Sequence, residues 1–191
     1  LKPYISYDST DDHSFPRNGS KASTGLEFAG IGGDAKFMKS FSNYKYFHSL
    51  QKEYELDWVL RYKSTLQPLI DNGKITQGDS LYLGGVSSLR GFESFAFGPD
   101  SSSSEPALKQ MFSNSVELSF PLFSEKMRWN LFYDYGMIGE EQFSDTKRSS
   151  VGAALEWISP IGPIQLIFAE PLDDKPGDKT SNFEFTLGQS F

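Results

Sequence analysis

The fold class of this chain is decided by residues 54–64, which read Tyr54-Glu55-Leu56-Asp57-Trp58-Val59-Leu60-Arg61-Tyr62-Lys63-Ser64. Every second position from Tyr54 to Tyr62 is apolar or aromatic, and charged residues fill most of the positions between them. Successive side chains of a β-strand point to opposite faces, so this stretch predicts a strand with one apolar face and one charged face.

The same alternation recurs along the chain. It is clear at residues 21–28, 115–120, 128–135, 150–157 and 183–191, and weaker at residues 4–8, 34–47 and 164–170. With residues 54–64 this makes nine segments, of which residues 4–8 are the shortest and weakest, and we expect about eight strands without them. No segment shows a 3.6-residue period, so the chain is predicted to be all-β and antiparallel.

Composition narrows the classes of function. The 191 residues carry a net charge of -7, which disfavours nucleic acid as a partner, and contain no cysteine, which excludes thiol chemistry and disulfides. The mean hydropathy of -0.42 and the absence of a long apolar run exclude membrane-spanning helices. No group of residues suggests catalysis, so we predict no enzyme activity, no cofactor and no metal.

Alternation fits either a soluble β-sandwich, with its apolar face in a core, or a membrane barrel, with its apolar face toward lipid. Long strands favour the barrel, because a tilted membrane crossing needs about 9–11 residues. Connections of unequal length also favour it: residues 159–163 form a tight turn, whereas residues 68–113 form a long loop. Aromatic residues near the strand ends predict a girdle at the membrane boundary.

The long loop contains the most specific motif, Leu89-Arg90-Gly91-Phe92. With Val116-Glu117-Leu118, Tyr133-Asp134-Tyr135, residues 157–163 and the aromatic C-terminus, this part of the chain resembles the BamA-type outer-membrane protein assembly factors. These belong to the wider superfamily of transporters that carry POTRA domains. The family has an Arg-Gly-Phe loop tip folded into the barrel lumen, and here Leu89 replaces the more usual Val.

The resemblance implies that Arg90 pairs with acidic residues on the strands after the loop, which map to Glu117 and Asp134. A buried guanidinium needs carboxylate partners because it does not lose its proton, and both acids lie on the polar face of their segments. Gly91 would allow a tight backbone, and Phe92 would pack the loop tip. The resemblance also makes residues 183–191 a terminal sorting and seam strand, whose motif residues are Phe183, Phe185, Leu187, Gly188 and Phe191.

For the whole protein, the resemblance implies the C-terminal half of an outer-membrane β-barrel of about 16 strands in a Gram-negative bacterium. POTRA domains and the first barrel half would lie upstream of these 191 residues. The implied function is the insertion of unfolded outer-membrane proteins into the lipid of the outer membrane, with accessory lipoproteins as partners. A related polypeptide translocation channel and a soluble β-sandwich or ligand-binding barrel remain the alternatives.

Overall fold

The computed structural model describes residues 1–13, 15–30, 36–75, 77–99, 108–124, 126–160 and 162–188. In these ranges nine strands form one sheet, and each strand pairs antiparallel with the next along the chain. The strands are β1 (Tyr4–Asp8), β2 (Gly19–Ala29), β3 (Lys36–Ser49), β4 (Val59–Lys74), β5 (Gln110–Pro121), β6 (Met127–Gly139), β7 (Thr146–Ser159), β8 (Gly162–Pro171) and β9 (Phe183–Leu187). A helical turn, α1 (Gln51–Tyr54), precedes β4, and a 3-10 turn (Gln77–Asp79) follows it.

Alternating burial separates two faces of the sheet. On β6, Asn130 and Asp134 are buried, whereas Leu131 and Tyr133, which lie between them in the sequence, are exposed. The polar parity thus faces inward and the apolar parity outward, as expected for a barrel wall whose outer face meets lipid. Of the side chains expected to face outward, the most exposed are Leu56, Trp58, Leu60, Val116, Leu131, Tyr133 and Trp157, and Tyr62, Leu118 and Leu155 are partly exposed.

The sheet is open within the described ranges, because its strand order runs from β1 to β9 without a pairing between those two. If the chain forms half of a larger barrel, as predicted, its sheet should be open in this way. The expected number of eight strands was one too low. Tyr4–Asp8 is a strand after all, because all five of its residues pair with β2 between Gly25 and Lys21.

The strand predicted over residues 54–64 begins only at Val59. Leu50 accepts a bond from Tyr54 in α1, and Glu55 ends the turn with a φ of 58°. Asp57 is then held by side chains rather than by a neighbouring strand, since Arg17 and Arg128 both donate to it. The alternating pattern is present before Val59, but these contacts replace the ladder bonds that a strand would need.

The long loop begins later and ends earlier than the predicted range of residues 68–113. Pro68 remains in β4, where it lies opposite Gln110 of β5, so the loop comprises residues 75–109. Its residues 81–97 fold back over the inner face of the sheet. A buried apolar cluster joins its side chains to those of the strands, with Leu81, Leu83, Leu89, Phe92 and Phe97 from the loop and Phe37, Leu69, Met111 and Ile138 from the sheet.

Strands that alternate in direction bring every second connection to the same end of the sheet. Residues 75–109 therefore lie at the same end as residues 172–182, which connect β8 to β9. Among the described residues, no helix is long and apolar enough to cross a membrane.

Candidate functional site

Arg90 lies at the centre of the inner face, with 6% of its surface exposed. Its Nε and Nη2 atoms donate to the two carboxylate oxygens of Asp134, each at 2.7 Å. Its Nη1 donates to Glu117 Oε1 at 2.5 Å, and Nη2 also donates to Ser115 Oγ at 2.8 Å. The backbone N–H of Arg90 adds a bond to Asp134 Oδ2 at 3.2 Å. The structure therefore brings together Arg90, Glu117 and Asp134, the three residues that the family resemblance had connected.

These contacts explain how a charged side chain occupies an interior position. Burial alone would lower the pKa of Arg90, but the neighbouring carboxylates of Asp134 and Glu117 raise it above the ordinary value for arginine. The forked, two-bond geometry with Asp134 also fixes the direction from which the loop enters. The positive charge is retained, and it locks the loop tip to two adjacent strands.

Phe132 supplies a contact that was not predicted. It is the one aromatic residue on the polar parity of β6, and its ring centroid lies 3.5 Å from the Arg90 guanidinium carbon. A cation over an aromatic face is attracted by the ring quadrupole, more strongly when water is excluded. The sequence did carry the signal, because Phe132 stands out as apolar among polar inward-facing residues.

Gly91 follows with a φ of +88°, a conformation that other residues rarely adopt. A Cβ atom added there would lie 3.3 Å from Ser150 Cβ and 3.4 Å from Ala169 Cβ. The glycine therefore serves both the turn and the close approach of the loop to β7 and β8. Beside it, Leu89 and Phe92 are fully buried, and the Phe92 ring packs against Phe97 with centroids 5.2 Å apart.

The loop tip is also joined to residues 172–182. Phe92 forms an antiparallel bridge with Thr180, and the Glu93 N–H donates to the Lys179 carbonyl at 2.9 Å. On the other side of the bridge, the Ser181 N–H donates to the Gly91 carbonyl at 3.0 Å. The Arg-Gly-Phe segment is thus tied by its backbone to the chain that leads directly into β9.

Two further ion pairs surround this centre. Arg61 donates to Glu156 at 2.9 Å across the inner face, and Arg148 donates to Asp178 at 2.6 and 3.0 Å. The bond from Arg148 lowers the pKa of Asp178, which lies in the connection before β9. Neither pair was predicted, because each joins residues 30 or more positions apart whose proximity depends on how the sheet curves.

The terminal motif residues lie on or beside β9. Phe183, Phe185 and Leu187 are exposed on the outer face, and Gly188 has a φ of +83° just after the strand. The Gly188 N–H donates to the Pro163 carbonyl at 2.7 Å. Phe191, the last residue of the predicted sorting motif, lies outside the described residues. β9 has five residues, against ten in its partner β8.

The arrangement is a set of fixed ion pairs and backbone bonds. Within the described ranges, no group of three or more His, Asp or Glu side chains is placed to hold a metal ion. The oxygens of Asp134 and one oxygen of Glu117 are occupied by Arg90. What this geometry can do is position a loop and, through it, the segment before the last strand.

Comparison with known proteins agrees with this geometry. The chain is 29% identical over 195 residues to the outer membrane protein assembly factor BamA of Nitratidesulfovibrio vulgaris (strain Hildenborough), covering 96% of this chain and 24% of that relative. It is 26% identical over 225 residues to BamA of Neisseria meningitidis serogroup B, covering 95% of this chain and 27% of the relative. The chain therefore spans about a quarter of the length of these curated relatives.

A solved structure and a family model complete the comparison. The crystal structure of BamA from Haemophilus ducreyi lacking POTRA domains 1-3 matches with a TM-score of 0.83 at 24% identity, over 96% of this chain and 41% of that one, which shows a common fold. The model of the Omp85 superfamily domain matches residues 1–191 in full. The nine-stranded sheet is therefore a segment of an outer-membrane β-barrel, and the chain belongs to the Omp85 superfamily.

Proposed function

We propose that this chain is the C-terminal part of the barrel of an outer-membrane protein assembly factor, which inserts unfolded β-barrel proteins into the outer membrane without making or breaking a covalent bond. One observation carries the proposal: the Arg90 loop tip is locked to Asp134 and Glu117 on the inner face of a sheet whose outermost strands are not paired with each other in the described ranges. The names of the relatives, assembly factors of outer membrane proteins, point the same way.

The proposed mechanism of insertion depends on the edge of β9 that faces away from β8. A strand edge carries unpaired backbone N–H and C=O groups, which are costly in hydrocarbon and can be satisfied by an added strand. Among the described residues, which end at 188, five residue pairs join β9 to β8, fewer than the pairs that join the longer strands of this sheet. An unfolded substrate strand that pairs with this edge gains backbone bonds as it enters the membrane, which is the energetic basis of strand addition.

The proposal includes the rest of the protein. POTRA domains and the first barrel half would precede residue 1, and the complete barrel would have about 16 strands. The partners would be unfolded outer-membrane proteins, outer-membrane lipid and accessory assembly lipoproteins. Leu89, Arg90, Gly91 and Phe92 would position the loop, Glu117 and Asp134 would receive it, and residues 183–191 would form one side of the seam.

Reconstitution tests this function. The intact protein is placed in liposomes, and a urea-denatured outer-membrane protein is added. The proposal expects the substrate to fold into the liposome membrane faster than in protein-free liposomes, measured by its compact, heat-sensitive mobility in gels. A substrate that instead accumulates inside the liposome, protected from external protease, would favour a translocation channel. Equal rates with and without the protein would refute the proposal.

A further inference from the structure

Three lysines lie side by side on the adjacent strands β2, β3 and β4. These strands precede β5 and β6, which hold Arg90. In the register of the sheet, Lys21 of β2 faces Lys45 of β3, and Lys45 faces Lys63 of β4. Residues directly opposite each other in an antiparallel pair have their Cβ atoms about 4.5–5.5 Å apart, and like charges at such positions destabilise the sheet. We call Lys21, Lys45 and Lys63 the lysine row.

The lysine row belongs to the inner face. Lys45 is two residues from Phe47, and Lys63 is two residues from Arg61; both of these neighbours are 2% exposed. Side chains two positions apart in a strand share a face, so the row points into the interior of the curve. Repulsion between the ammonium groups is therefore not relieved by full exposure to water.

A cavity of about 420 Å³ lies between the loop and the strands that carry Lys45 and Lys63, and Tyr82, Phe95 and Met111 make part of its wall apolar. Lys45 and Lys63 line it together with Asn43, Thr65, Ser88 and Ser113. The amide and hydroxyl groups are organised, since Thr65 Oγ1 donates to Asn43 Oδ1 at 3.1 Å and Asn43 Nδ2 donates to Ser23 Oγ at 3.4 Å. The single hydroxyl protons of Thr65 and Ser88 are used in bonds within the protein, the latter to the Gly84 carbonyl, whereas the Asn43 amide keeps a second N–H. The strand wall thus presents two cations beside one amide N–H that can donate to a ligand.

The charges of the inner face are unevenly distributed. Glu117 and Asp134 on β5 and β6 accept bonds from Arg90, and Glu156 on β7 accepts one from Arg61. On the lysine side, Lys21 is paired with Asp8 at 3.4 Å, and Lys63 Nζ donates to the Ser87 carbonyl at 2.9 Å, which fixes its ammonium group at the cavity wall. An ammonium group has three donors, so this bond leaves capacity for a ligand.

We propose that this cavity is a binding site for a phosphate group, held by the ammonium groups of Lys45 and Lys63 with a hydrogen bond from the Asn43 side-chain amide. A doubly charged oxyanion would compensate the repulsion between Lys45 and Lys63, and lysine binds phosphate as a point charge. The phosphate can be inorganic or part of a lipid headgroup. This site is separate from the insertion activity proposed above and does not depend on it.

The first experiment measures phosphate binding to the intact protein in detergent micelles, by the ³¹P line width of inorganic phosphate in chloride buffer of constant ionic strength. Losing one charge-assisted bond is expected to weaken binding about tenfold or more in Lys45→Gln and in Lys63→Gln. Lys52→Gln is the matched control, because it removes the same charge from the exposed turn α1. Equal line widths for the unmodified protein and Lys63→Gln would overturn the proposal.

A second measurement needs no variant. Amine acylation of the unmodified protein is followed residue by residue by mass spectrometry, with and without inorganic phosphate. We expect phosphate to slow the modification of Lys45 and Lys63 but not of Lys52; equal effects on all three would mean general screening and would overturn the proposal. Repeating the assay with short-chain phosphatidic acid identifies the source, since protection by the lipid alone assigns the site to a headgroup.

Discussion

Phe92 and Thr180 form an antiparallel bridge that joins the Arg-Gly-Phe loop to the segment leading into β9. In the same loop tip, Arg90 is bound to Asp134. Residues 90–92 therefore contact both the centre of the sheet and the segment that leads into its last strand. The loop is therefore placed to influence the end of the sheet where the seam is proposed.

Cysteines at these two positions test the bridge. The chain has no natural cysteine, and residues opposite each other in an antiparallel ladder have Cα atoms within the range of a disulfide. In the intact protein, Phe92→Cys with Thr180→Cys should therefore crosslink on mild oxidation, as seen in a gel shift that is reversed by reductant. Adding Arg90→Ala should slow crosslinking, and unchanged crosslinking would mean that the two contacts are independent.

Removing the arginine should destabilise the barrel. Arg90→Ala leaves Asp134 buried without its cation and Glu117 with only Arg61, 3.8 Å away, and breaking a buried pair on one side costs about 3–5 kcal/mol. Urea unfolding of the intact protein in micelles measures the loss. Arg17→Ala is the control: it breaks a pair with Asp57 whose side chains are 33% and 27% exposed, so the loss should be smaller. Equal losses would contradict a special role for Arg90.

Gly91 can be compared with a second glycine of similar backbone. Gly91→Val adds side-chain atoms against Ser150 and Ala169 at a φ of +88°, whereas Gly177→Val adds them at a φ of +100° with nothing within 4 Å of the added Cβ. Backbone strain is common to both, so the difference between their urea midpoints reports the close approach of the loop to the sheet. We expect the larger loss for Gly91→Val, and the opposite order would mean that the loop is not closely packed.

The outer face should reject charge. Leu131 is 50% exposed in the middle of β6, and an arginine at the bilayer midplane of such barrels costs about 2–4 kcal/mol. Leu131→Arg should therefore lower the unfolding free energy in liposomes, whereas Phe123→Arg, in the turn between β5 and β6 and 87% exposed, should be tolerated. Equal tolerance would place Leu131 in water.

Acid should release residues 172–182. Arg148 lowers the pKa of Asp178 below its ordinary value of 3.8, so the stabilisation by this pair is complete above pH 3.8 and is lost as the pH falls further through the folded-state pKa. Cleavage by pepsin within residues 172–182 should rise over that acidic window. Asp178→Asn should already be susceptible above it, and a profile identical to that of the unmodified protein would exclude this pair as the cause.

Local patterns predicted the sheet, and the resemblance of the loop motif to a known family predicted the central ion pair. Strand parity separated Leu131 from Asn130, and the loop motif led to Arg90 with Glu117 and Asp134. Local patterns did not predict that α1 and Asp57 displace the start of β4, because the bonds from Arg17 and Arg128 come from distant segments. The Arg61–Glu156 pair was missed for a similar reason, since 95 positions separate its partners and only the curvature of the sheet brings them together.

The most direct test of the central claim is a double-mutant cycle of Arg90 and Asp134 in the liposome insertion assay with the intact protein. If the loop acts in insertion through this pair, Arg90→Ala and Asp134→Ala should each slow substrate folding, and the double variant should be slowed no more than the worse single variant. Rate losses that multiply, or variants that insert substrate as fast as the unmodified protein, would contradict the claim.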